Sequence, residues 1–271
     1  MRNRAAAASS PSHSGSVQNL TLSAGAGLFP CRWLLAAACV AFGAMSLIFG
    51  KFIGGLEFLP SQGVSTAPWA LVNGGVLILA GLSLTLDRTA RAGALVLAAM
   101  FGFTAIVLHG WQLVGHLKEA ADDVFHVLGI SAGALALAAS IGRTGWSARA
   151  GLAARLVFGV CTIGHGVMHF VYFKFTADFI PAWIPGHEFF AAATGIAQIA
   201  AGLAILSGVL GRLAAILTGA MYLSWFPLVH IPRVMAHPEI HQEWVSLAIV
   251  AALSASALLV GGVLAQRRGS A

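Results

Sequence analysis

The chain has 271 residues, of which 58% are hydrophobic and only 9% charged. A soluble domain carries about 25% charged residues, so this chain cannot wet a globular surface and its solvent is lipid. The net charge of +6 does not indicate nucleic acid, because the basic residues are sorted by side along the chain and form no single patch.

Residues 1–31 are rich in Ala, Ser and Gly without a period, which predicts a disordered cytoplasmic tail. Eight apolar runs follow, at roughly 33–52, 67–86, 92–112, 124–141, 153–173, 188–207, 213–231 and 244–264. A run of about 20 apolar residues spans a bilayer core as a helix, and in lipid the backbone must satisfy its own hydrogen bonds. The expected fold is therefore all-α: a polytopic membrane protein with eight transmembrane helices. Gly and Ala recur in each span, where small residues let helices approach closely. Residues 142–152 read as a short polar connection between two sets of four spans.

The two sets resemble each other. At an offset of 121, Gly74 meets Gly195, Arg91 meets Arg212, Met100 meets Met221, His109 meets His230 and His116 meets His237. Upstream the offset is 123: Arg32, Gly43, Met45 and Lys51 meet Arg155, Gly166, Met168 and Lys174. This predicts a duplicated unit, covering residues 32–141 and 153–265. Four spans return the chain to its starting side, so the copies should be parallel repeats about an axis along the membrane normal.

Placing the N-terminus in the cytoplasm puts 11 of the 15 basic residues inside and leaves Lys51, Lys118, Lys174 and Arg233 outside. That is a strong positive-inside signal, and it predicts that both termini are cytoplasmic. Eight of the nine acids then lie outside, with only Asp87 inside. Glu119, Asp122 and Asp123 read as a small acidic outer cluster, first as a solvated loop and in the alternative as a cation site. Cys31, Cys39 and Cys161 form no motif, and no disulfide is expected on the cytoplasmic side.

The loop between the first and second span of each unit carries Pro and Trp: Phe58-Leu-Pro60 and Pro68-Trp69 in the first, Phe179-Ile-Pro181 to Pro185 in the second. A bent segment in the membrane interface is expected, with Trp183 at headgroup depth. Here the second unit reads Arg155, a Gly-rich span ending Phe173-Lys174-Phe175, then Phe179-Ile-Pro181, Ile184-Pro185 and Phe189. Gly195, Gln198, Ala201-Gly202-Leu203 and Gly211-Arg212 follow. This pattern resembles the DoxX-like family of four-helix bacterial membrane proteins, over about 110 residues of the second unit and more weakly in the first. The chain thus resembles two fused DoxX-like units. The resemblance implies a bacterial inner-membrane protein, in some members a subunit tied to quinone-linked oxidation of sulfur compounds.

The histidines carry the remaining chemistry. His165 and His169 stand at i and i+4 on the fifth span and share a helix face, while His230 ends the seventh. In the first unit Phe42 and Ser46 stand where His165 and His169 do, and Leu77 stands where Gln198 does. The second unit is the polar one. A site is expected between spans five, six and seven, lined by His165, His169, Gln198 and His230 and covered by the loop from Trp183 to His187. Three roles are open for it: buried polar residues hydrogen-bonded to neighbouring helices; ligation of a metal or b-type haem, with His165 and His169 as a two-ligand arm; or hydrogen bonding to a quinone. No phosphate loop, nucleophile elbow, dinucleotide fingerprint or paired intramembrane carboxylates occur. The expected function is an integral subunit or accessory factor of a quinone-linked membrane redox process. A small-solute or ion transporter and a structural assembly protein are the alternatives. The expected partners are the lipid bilayer and a membrane redox subunit.

Overall fold

In the computed structural model the described residues are 14–52, 67–114, 117–142 and 145–268. Among them every regular element is helical. Ten α-helices occur: α1 Ser14–Phe49, α2 Ala67–Ser83, α3 Ala90–Phe103, α4 Leu117–Ile141, α5 Gly145–Val171, α6 Phe173–Phe179, α7 His187–Ser207, α8 Gly211–Trp225, α9 Ile231–Ala236 and α10 His241–Arg268. Two π-helical segments, Thr104–His109 and Phe226–His230, continue α3 and α8. Helix α1 reaches back to Ser14, into the segment expected to lack structure. Likewise α5 starts at Gly145, so most of the expected 142–152 connection is helix. No proline interrupts it, and Trp146 packs on the Arg91 guanidinium 5.4 Å away. The Phe58–Pro60 loop and His116 lie outside the described residues.

Among the described residues seven helical stretches are long and apolar enough to cross a membrane, and the chain is a multi-pass membrane protein. The expected second span is the short one: α2 has 17 residues, about 26 Å of helix. It runs antiparallel to α1. Gly74 lies against Gly43, Ser46 and Leu47, while Gly81 lies against Ala36, Cys39 and Val40. Past its end, Asp87 accepts a 2.7 Å hydrogen bond from Arg32. So α2 and the turn after it lead the chain back along the whole apolar part of α1.

The same construction occurs between α5 and α7. Their seams are small residues at helical spacing: Gly159 and Gly166 on α5, Gly195 and Gly202 on α7. The buried positions of α7 are Ala191, Gly195, Gln198, Gly202 and Ile205, alternating steps of four and three along one face. In lipid no hydrophobic effect drives helices together, and close backbone approach supplies the contact. Arg155 donates to the Leu206 carbonyl at 3.4 Å, at the end where Arg32 meets Asp87 in the α1–α2 pair. Helix α4 packs on α5, α1 packs on α10, and α10 also packs on α4 and α8. The apolar stretch of α10 is 83% buried inside the protein, which makes the last helix the interior one.

Each π segment ends in a buried histidine, His109 or His230. In the second, the Ile231 N–H reaches the Phe226 carbonyl, an i to i−5 bond. Pro227 and Pro232 lack N–H groups, which removes donors from the α-helical ladder and favours the wider turn. Cys31, Cys39 and Cys161 are all buried.

Candidate functional site

A cavity of about 1090 Å³ opens within the second half of the chain. Its walls come from the first turns of α4, the end of α5, and α7, α8 and α10. Its cover is α6 with the turn after it, which contribute Phe175, Phe179, Trp183 and Ile184. Gly186, in the left-handed region at φ 76°, turns that segment into α7. A cation–π contact pins the cover, with the Arg233 guanidinium 3.7 Å from the Phe179 ring centre. Arg233 also donates to both carboxylate oxygens of Glu243, at 2.9 and 2.6 Å, a bidentate charge-assisted pair that ties α9 to α10. The short cover helix was invisible in the sequence, where Phe173–Phe179 reads as the tail of a span and the start of a loop.

Helical spacing aims the polar side chains inward. On α5, Ala154, Phe158, Cys161 and His165 occupy one buried face. On α7, Gln198 sits on the seam between Gly195 and Gly202. On α8, Ala215, Thr218 and Tyr222 recur on the buried face. These three faces bring four side chains into one chain of hydrogen bonds. His165 Nδ1 lies 3.1 Å from the Tyr222 hydroxyl. Tyr222 donates to Gln198 Oε1 at 3.2 Å. Gln198 Nε2 lies 3.0 Å from His169 Nε2. His169 Nδ1 lies 3.2 Å from the Ala191 carbonyl oxygen and 3.2 Å from Thr194 Oγ1.

Donors and acceptors fix the direction of this chain. A carbonyl oxygen only accepts, so a neutral His169 carries its proton on Nδ1 and donates it to Ala191. Its Nε2 is then the acceptor for the Gln198 amide N–H. That leaves Gln198 Oε1 to accept from Tyr222, and the Tyr222 oxygen to accept from His165 Nδ1–H. His165 therefore holds a bare lone pair on Nε2. That atom is buried without a hydrogen-bond partner, in a residue only 6% exposed.

The corresponding positions of the first half carry no such chain. At the offsets given above, His165, His169, Gln198 and Tyr222 fall on Phe42, Ser46, Leu77 and Phe101. All four are buried. The rings of Phe42 and Phe101 meet edge-on at 6.5 Å, as those of His165 and Tyr222 do at 6.3 Å. One packing geometry thus carries hydrocarbon in one half and polar groups in the other.

His165, His169, Gln198 and His230 all line the cavity, and the first three share the hydrogen-bond chain. His230 stands apart, its ring 5.7 Å from Phe179 and its Nδ1 buried without a partner. Both ring nitrogens of His169 are hydrogen-bonded, to Gln198 and Ala191, so of the two histidines His165 is the one with an unpartnered ring nitrogen. Asp122 and Asp123 are not on a solvated loop. They belong to α4, are partly buried and line the cavity. Tyr222 and His126 are cavity residues that sequence reasoning missed, and Asp122 is one that it gave first to a solvated loop and only in the alternative to a cation site. A signal for two of them was present: Asp122 and His126 stand at i and i+4, on one helix face.

Residues 150–231 match the DoxX family model. The matched segment runs from the first turns of α5 through α8 to His230 and Ile231, and so carries the whole hydrogen-bond chain. No curated protein and no solved structure matches the chain.

Proposed function

We propose, taking residues 150–231 as a DoxX-like segment, that the cavity binds a lipid-soluble quinone. The protein then serves as a subunit or accessory factor of a membrane redox process. The observation that carries this reading is the pairing of an aromatic-walled cavity with a hydrogen-bonding head. Phe175, Phe179, Trp183, Phe190 and Trp225 supply flat apolar surface, suited to a planar ring. Gln198, itself fully buried, orients the His169 ring and the Tyr222 hydroxyl at the cavity wall. His230 Nδ1 is a further polar atom without a partner. Small-molecule sites occupy about 300–1,000 Å³, so this cavity has room for a ring and the first units of its tail. Titration of the purified protein with a short-chain quinone, followed by tryptophan fluorescence, tests this. Saturable quenching is expected, and its loss in Trp183→Phe with Trp225→Phe would identify the reporting rings. Absence of saturable binding to the parent protein sinks the reading.

The chain is further proposed to consist of two parallel four-helix units, at 32–141 and 153–265. Support comes from the matched glycine crossings of α1–α2 and α5–α7 and from the two π segments ending in His109 and His230. The reciprocal packing of α1 on α10 and α4 on α5 adds to it. With α2 as a return crossing, the spans number eight and both termini face one side, the cytoplasm by the arginine distribution of a bacterial inner-membrane protein. A reporter fused after Ala271 should read out as cytoplasmic. A periplasmic readout would refute this topology.

A further inference from the structure

We propose that Asp122, His126 and His165 form a binding site for a divalent first-row transition-metal ion. Each of the three offers one ligand atom, and these atoms all lie within 4.8 Å of one another. Two come from one turn of α4 and the third from α5, so the site joins two packed helices. The Asp122 carboxylate and His126 Nδ1 are 3.7 Å apart, too far for a hydrogen bond. Ligands about 2.0–2.1 Å from a tetrahedral ion are separated by about 3.4 Å. The pair therefore already stands near the spacing that an ion between them requires, and small side-chain rotations bring in His165. The rings of His126 and His165 lie 4.6 Å apart, tilted by 38°.

The independent observation is the lone pair of His165. Its Nδ1 is held by Tyr222, so the bare, buried Nε2 is the only atom it has to offer. A metal-bound imidazole usually donates its other ring N–H to an oxygen, which fixes tautomer and orientation. Here the Tyr222 hydroxyl takes that N–H, and Gln198 in turn holds Tyr222. In this arrangement the polar chain is the support of a ligand. Two imidazoles and one carboxylate suit zinc or ferrous ion and leave coordination positions open. All three side chains line the cavity, so those positions face its interior. The site does not rest on the quinone reading, since neither residue of α4 takes part in the hydrogen-bond chain.

The test uses the full-length protein in detergent, stripped with a chelator and titrated with Zn²⁺ by calorimetry. Co²⁺ is the optical probe of coordination. The parent should bind one equivalent, with visible Co²⁺ absorption. Asp122→Asn and His126→Gln should each weaken binding by about 10-fold or more. The His126 side chain is 24% exposed, so that variant carries the test if Asp122→Asn fails to fold. Tyr222→Phe keeps every ligand but frees the His165 ring. It should weaken Zn²⁺ about 10-fold and broaden the Co²⁺ spectrum, which a merely structural role would leave unchanged. Stoichiometric binding that survives both α4 substitutions, or no stoichiometric binding by the parent, overturns the proposal. Quinone titration of the metal-stripped parent distinguishes the two failures: Zn²⁺ binding without saturable quinone binding sinks the quinone reading alone, and quinone binding without stoichiometric Zn²⁺ binding sinks this proposal alone.

Discussion

Replacing Gln198 by Leu should weaken quinone binding by about 10- to 100-fold, the equivalent of losing roughly 1.5–3 kcal/mol. Two effects act together. The variant lacks the amide that orients the His169 ring and the Tyr222 hydroxyl at the cavity wall. It also strands the groups Gln198 satisfies, the Tyr222 hydroxyl and His169 Nε2. Each stranded buried group costs about 1–3 kcal/mol, so the hydrogen-bond chain should rearrange and the melting temperature should fall. Leu77 stands at the corresponding place in the first half and is fully buried, so a leucine is sterically tolerable there when its neighbours are Phe42, Ser46 and Phe101. A quadruple change that also makes His165→Phe, His169→Ser and Tyr222→Phe should therefore recover stability without recovering binding. Unchanged quinone affinity in Gln198→Leu at unchanged stability would sink the site.

Gly166→Leu should damage the fold severely. A Cβ on Gly166 would come 2.6 Å from the Gly195 carbonyl oxygen and 2.7 Å from Ile199 Cγ1. Backbone cannot yield as a flexible side-chain tip can, so α5 and α7 must separate. Overpacking of a fitted interface costs about 1–3 kcal/mol, and the separation also pulls His169 from Gln198 less than two turns away. Gly75 is the control: a Cβ there meets nothing within 4 Å, although its neighbour Gly74 is buried in the α1–α2 crossing. Thermal unfolding in detergent should show a clear fall for Gly166→Leu and none for Gly75→Ala. Equal stability of Gly166→Leu and the parent would mean that the close crossing is not what holds the pair.

The sequence makes the spans legible because apolar length alone encodes them, and it makes the polar half legible because His165, His169 and Gln198 interrupt hydrocarbon. Other features depend on which helices meet. A tyrosine in an apolar run reads as wall, and Tyr222 becomes part of the site only because α8 brings its hydroxyl between His165 and Gln198. Asp122 precedes the apolar run that begins near 124 and His126 stands in its first turn, and polar residues at the mouth of a span read as loop. The helix in fact begins at Leu117, which puts their common face against α5. Helix α6 has only 7 residues, too few for periodicity to register. Free valence was hidden as well: that His169 is fully bonded and His165 is not follows from partners 22 to 57 residues distant.

The interior position of α10 has a consequence for how the protein is made. The 28 residues of α10 supply Ser246, Ile249, Val250 and Leu253 to the cavity wall and pack on α1, α4 and α8 at once. Every earlier helix enters the membrane before its central neighbour has been synthesised. The packing of α1, α4 and α8 is therefore completed only after α10 has followed them, and a chain cut before His241 keeps His165, His169, Gln198 and Tyr222 but has no floor beneath them.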